Sequence, residues 1–124
     1  MNKYRLTEET KVVAGVTLHR IQSLKSFGNV TKGDLGGWIE SEANLSHSGD
    51  CWVFGDAWVF GNARVLGDAR VFGYAVVSGG AWVFEDAKVF EDAMVYGYAE
   101  VSGDAWVCGD ARVHTGTITT GEHK

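Results

Sequence analysis

GDAWVFGNARVLGDARVFGYAVV, residues 55–77, repeats a unit of six: Ala, a variable residue, Val, a second variable residue, then Gly followed by Asp, Asn or Tyr. Side chains two apart on an extended chain share a face, so the Ala and Val of each unit point one way and the variable residues the other. Gly with Asp or Asn supplies a corner, because both types tolerate the positive backbone φ of a tight turn. A helix is excluded: the apolar period is two, and a glycine recurs every sixth residue.

Extending the pattern in both directions gives fourteen hexads, beginning at 37, 43, 51, 57 and then every six residues to 117, with a two-residue insertion near His47 and Ser48. The first slot is Ala in eleven of them, and the third is Ile39, Leu45 and then Val from Val53 to Val113, with Thr119 departing in the last. Four residues of strand and two of corner describe a coil that stacks on itself, and hexapeptide periods belong to parallel β-helices. The narrow interior takes the Ala and Val columns. Cys51 occupies an Ala slot and is expected to be buried and inert; Cys108 is expected to face out, about 14 Å away and beyond disulfide reach. Residues 1–36 do not repeat. KVVAGVTLHRIQ holds two alternating runs around Ala14 and Gly15 and predicts a β-hairpin that caps the coil, leaving 37–122 as the repeat and 123–124 as a tail.

The unit Val65-Leu66-Gly67-Asp68-Ala69-Arg70 resembles the hexapeptide repeat of left-handed parallel β-helices. That resemblance covers about 70% of the chain and implies an all-β, single-stranded triangular prism with three hexads per turn, nearly five coils here. Handedness comes from the resemblance alone, since the general rule for crossovers points to the right-handed form.

Stacking every third hexad sorts the outward residues into three faces. The first carries Trp52, Phe54, Arg70, Phe72, Lys88, Phe90, Trp106 and Cys108; the second Trp38, Trp58, Phe60, Val76, Met94, Tyr96, Arg112 and His114; the third Asn44, Arg64, Leu66, Trp82, Phe84, Glu100, Ile118 and Thr120. An outward set of Trp52, Phe54, Trp58, Phe60, Phe72, Trp82, Phe84 and Phe90 is more apolar than a soluble monomer ordinarily exposes, and predicts an interface, with ring stacking that stiffens the sheet as the alternative. The resemblance implies side-by-side association of copies, a dimer first among them.

The net charge of −5 over 124 residues hides an asymmetry. Residues 1–36 carry six Lys or Arg against three Asp or Glu, a net of +3, whereas residues 37–122 carry four against thirteen, a net of −9. The acids collect at corners as Asp68, Glu85, Asp86, Glu91, Asp92 and Asp104, where they serve either turn conformation or the binding of a basic partner. Direct nucleic-acid binding is disfavoured by this charge. No apolar run is long enough to span a membrane, and MNKYRLTEET lacks the core of a secretory signal, which reads as a cytoplasmic chain with two free thiols.

Acyl transfer and hydration chemistry on hexapeptide β-helices need histidine, as a base or as metal ligands. His19, His47, His114 and His123 show no ligand spacing, so neither metal, cofactor nor catalytic residue is expected; a minimal acyltransferase-like enzyme centred on His47 or His114 stays as an alternative. The opening MNKYRLTEETKVV…GVTLHRIQSLKSFGNV…GDLGGWIE with its GDAWVFG repeats resembles small β-helical proteins of phages and prophages of Gram-positive bacteria, some of which are anti-CRISPRs. That resemblance implies a non-catalytic inhibitor of a type II RNA-guided endonuclease, since such enzymes hold nucleic acid in a basic channel. A structural or nucleotide-sequestering oligomer is the further alternative.

Overall fold

The computed structural model describes residues 2–124. It is nearly all β: a three-sided solenoid of about five turns built from parallel sheets. The first face stacks β4 (Trp52–Val53), β7 (Arg70–Val71), β10 (Lys88–Val89), β13 (Trp106–Val107) and β16 (Glu122–His123). The third stacks β6 (Arg64–Val65), β9 (Trp82–Val83), β12 (Glu100–Val101) and β15 (Thr117–Ile118). The second joins β3 (Leu35–Ile39), β5 (Trp58–Val59), β8 (Val76–Val77), β11 (Met94–Val95) and β14 (Arg112–Val113) to the hairpin of β1 (Tyr4–Val13) and β2 (Val16–Ser23), giving seven strands.

Residues eighteen apart pair in register, as in Arg70 with Lys88 and Val71 with Val89. The Trp58 amide donates to the Ala75 carbonyl at 3.0 Å and the Phe60 amide to Val77 at 3.0 Å, so each coil hangs on the next. At the insertion the spacing becomes twenty, as in Trp38 with Trp58. The Ala column from Ala57 to Ala105 and the Val column from Val53 to Val107 have essentially no exposure, the interior the alternation requires.

Corner glycines sit in the left-handed region, and their lack of a side chain is needed for a second reason: a Cβ on Gly73 would stand 2.9 Å from the Glu91 amide nitrogen of the next coil. Glu85 and Glu91 occupy two such corners themselves, at φ of 58° and 59°. Their carboxylates accept the Gly103 and Gly109 amides at 3.0 Å, which offsets the strain of a non-glycine residue there.

The hairpin turns at Ala14 (φ 51°) and Gly15 (φ 81°), both left-handed, which matches the twist of the paired strands. β2 then pairs antiparallel with β3, so the hairpin prolongs the second face.

The last units differ from the six-residue count. Glu100 pairs with Thr117 and Trp106 with Glu122, so the units from Ala111 and Gly116 are five residues long. Each corner there lacks one residue, which turns Ile118 inward against the core and leaves Thr117 and Thr119 exposed. His123, expected in a tail, belongs to β16. Cys108 is likewise only 2% exposed, because β16 closes over it and the Cys108 amide bonds the His123 carbonyl at 2.8 Å. Both cysteines are free and buried.

Candidate functional site

All six predicted corner acids, Asp68, Glu85, Asp86, Glu91, Asp92 and Asp104, are exposed. Glu85 and Glu91 are committed to backbone amides, and Asp68 accepts the Asp50 amide at 3.1 Å. The row Asp50, Asp68 and Asp86 lies beside Arg70 and Lys88 in a shallow groove of about 260 Å³. Cations therefore interleave with the acids on this edge.

The predicted aromatic surface is largely covered. Trp52 is 1% exposed, because Tyr4 and Phe27 pack edge-on against it at 6.0 and 5.3 Å. It belongs to the core. Phe54, Trp58, Phe60, Phe72, Phe84 and Phe90 are half-buried, and only Trp82 of the eight is exposed, at 42%. Phe72 stacks on Phe90 at 4.9 Å, Phe54 meets Phe72 edge-on at 6.3 Å, and Phe90 meets Trp106 at 5.7 Å. On the second face Lys11 lies over Trp38 and Trp58, with its ammonium 4.1 and 5.7 Å from the ring centres. This is the alternative reading of the outward rings, stacked on one another and partly covered by the N-terminal segment and its cationic stems.

The hairpin also brings the first coil a buried polar cluster. The Lys3 ammonium donates to the Cys51 carbonyl at 2.7 Å and the Gly49 carbonyl at 3.2 Å, and lies 3.4 Å from the Cys51 sulfur. Burial lowers the Lys3 pKa and raises those of the Cys51 thiol and the Tyr4 phenol. His47 stacks on Tyr4 at 4.1 Å. Its Nδ1 accepts the Lys3 amide at 3.0 Å, which leaves Nε2 to donate to Glu42 at 2.7 Å. Both ring nitrogens are occupied, so His47 clamps the insertion and has no lone pair free for a substrate proton.

His114 is placed differently. It is exposed, stacks on Tyr96 at 5.4 Å and has no hydrogen-bond partner among the described residues. Its backbone carbonyl abuts Gly97 at the edge between the second and third faces. A cleft follows this edge toward the first coil. Most corners place Asp or Asn where Gly80 has no side chain, and a Cβ there would meet the Tyr98 ring at 3.0 Å. The gap opens about 410 Å³ between Asn62 and Tyr98, bounded by Arg64 and Trp82 on the third face and by Ser41 of the first coil. Tyr98 is 86% exposed. Arg64, Gly80 and Tyr98 lay outside the predicted site; the signal for them is that Gly80 breaks the corner pattern. No cluster of three or more His, Cys, Asp or Glu suited to a metal exists among the described residues. None of the described helices is long and apolar enough to cross a membrane.

Residues 63–79 match the family described as YdcK Beta solenoid repeat. The chain is also 36% identical over 62 residues to the Uncharacterized acetyltransferase YdcK of Escherichia coli (strain K12), across 44% of this chain and 19% of that protein. The aligned segment thus spans about a fifth of the relative's length. These likenesses support a hexapeptide-repeat β-solenoid. The expectation that the chain carries no catalytic activity is overturned by them, since the relative is named an acetyltransferase and the matched repeat shares its name.

Proposed function

We propose that the chain is a β-solenoid acyltransferase, or the solenoid part of one, that passes an acetyl group from a thioester to an acceptor lying along the Asn62–Tyr98 edge. The observation that carries this reading is the 36% identity over 62 residues to the protein named an acetyltransferase. His114 at the end of the edge supports it, being exposed and without a competing hydrogen bond. In the reaction His114 takes the proton of an acceptor hydroxyl or amine as that atom attacks the thioester carbonyl. The C–S bond then breaks, and the proton passes from His114 to the leaving thiolate.

Release of free thiol from an acetyl thioester, followed colorimetrically with a panel of hydroxyl and amine acceptors, tests the reading. Acceptor-dependent release is expected, falling about a hundredfold in His114→Ala. Absence of acceptor-dependent release across the panel would overturn it.

A second reading concerns a protein partner and is supported by the exposure of all six corner acids. Such a surface suits a basic protein, and the nucleic-acid channel of an RNA-guided endonuclease is the partner that the phage resemblance implies. Unchanged target cleavage by that nuclease with the chain in molar excess, and no complex on a sizing column, would remove this reading.

A further inference from the structure

We infer that the cleft at Gly80 is a binding site for an acidic saccharide, a sugar ring bearing a carboxylate. The inference goes beyond acyl transfer and holds whether or not His114 acts as a base.

Three features of the cleft point to this class. Its walls include two large exposed aromatic rings, Trp82 at 42% and Tyr98 at 86% exposure, brought together at one gap, whereas the exposed Tyr74 and Trp106 line neither this cleft nor its continuation along the edge. Exposed indole and phenol faces offer flat apolar platforms with a polar edge, the surface that packs against the C–H face of a pyranose. The polar lining is small and varied, with the Ser41 hydroxyl, the Asn62 amide and the Arg64 guanidinium, which supply donors and acceptors for ring hydroxyls.

The charge is the third feature. Arg64 forms no ion pair among the described residues, and the carboxylate that reaches the cleft, Glu40, is held by the Gly61 amide at 2.8 Å, although the repeat as a whole carries −9. A guanidinium fork standing free on an acidic protein matches a carboxylate in two parallel hydrogen bonds. The residue that opens the space is Gly80. With Asp there, as at Asp68, Asp86 and Asp104, a Cβ would stand 3.0 Å from the Tyr98 ring and the side chain would enter the space now open beside it. One missing side chain therefore creates the room, and Arg64 supplies the cation. The open, shallow form suits a sugar lying along the edge.

Trigalacturonate is the probe, with its fully methyl-esterified form as the uncharged control and adenosine monophosphate as a planar anion of another class. Binding is read by saturation-transfer NMR and by quenching of tryptophan fluorescence. Trigalacturonate is expected to bind about tenfold more tightly than its ester, a preference that Arg64→Gln abolishes. Trp82→Ala and Gly80→Asp are each expected to weaken binding at least about tenfold while the thermal unfolding midpoint shows the fold intact. Absence of trigalacturonate binding, equal affinity for the ester, or preference for the adenine nucleotide would each overturn the inference. Thiol release scored on the same samples separates this result from the acyl-transfer reading.

Discussion

The two ends of the solenoid are held by different means. The first coils are fastened from outside: Lys3, Tyr4 and His47 make hydrogen bonds across more than forty residues of sequence, Trp52 is sealed by two rings, and Asn44 is fully buried. Asn44 alone accepts the Glu40 and Ser41 amides and donates to the Gly61 and Ala63 carbonyls, at 2.9 to 3.2 Å. The last coils have shortened units, a half-buried Val113 and a half-buried Ile118. One repeat thus yields a locked end and a loose end, and the difference lies in the non-repeating N-terminal segment, in the insertion at His47 and Ser48, and in the shortened last units. The loose end is also where His114 stands.

The strongest way to break this contrast is Trp52→Ala, which removes the core ring between hairpin and coil and is expected to cost about 3–5 kcal/mol in urea unfolding. Asn44→Ala removes the side-chain partner of the Ser41 amide and of the Gly61 and Ala63 carbonyls, while the Glu40 amide keeps the Val59 carbonyl at 3.2 Å, and about 3 kcal/mol is expected from the same measurement. At the other end, Ile118→Ala removes a side chain that is already partly wet, so the loss should be about 1 kcal/mol. Equal losses at Trp52 and Ile118 would abolish the distinction.

A pH series sharpens it further. Burial raises the Cys51 thiol above its ordinary value of 9.0, so the folded chain keeps a proton that the unfolded chain releases. The stability this contributes is present below about pH 9 and is lost as pH rises past it. Lys3 acts with the opposite sign, since burial lowers its ammonium from 10.5 and the folded chain releases that proton first. In Cys51→Ala the thiol contribution is gone, so any stability gap in favour of the wild type should narrow between about pH 8 and about pH 10. A gap that widens over this range would contradict the burial assigned to Cys51.

Much of the fold was legible because the repeat writes it in period. The Ala and Val slots give the interior from Ala57 to Val107, the corner glycines give the positive φ, and stacking every third unit gives the three columns. The Ala14-Gly15 turn was legible from the same alternation. Three features were hidden. Trp52 and Trp38 look exposed by slot, yet the hairpin and the 24–34 segment cover them, and contacts from a non-repeating segment leave no periodic trace. The one-residue deletion in each of the last two units put Ile118 out of phase, because Thr and Gly there satisfy either register. The site was least visible: it opens at a departure from the pattern, Gly80, whereas three of the six recurring acids hold amides and the phenylalanines of the first face pack on one another.

The roles of the two histidines carry the functional account. The direct measurement is acceptor-dependent thiol release by the wild type, His114→Ala and His47→Ala, each beside its unfolding midpoint. The account predicts that His114→Ala loses about a hundredfold in rate at an unchanged midpoint, while His47→Ala lowers the midpoint and keeps the rate below it. Loss of rate in folded His47→Ala with full activity in His114→Ala would contradict it.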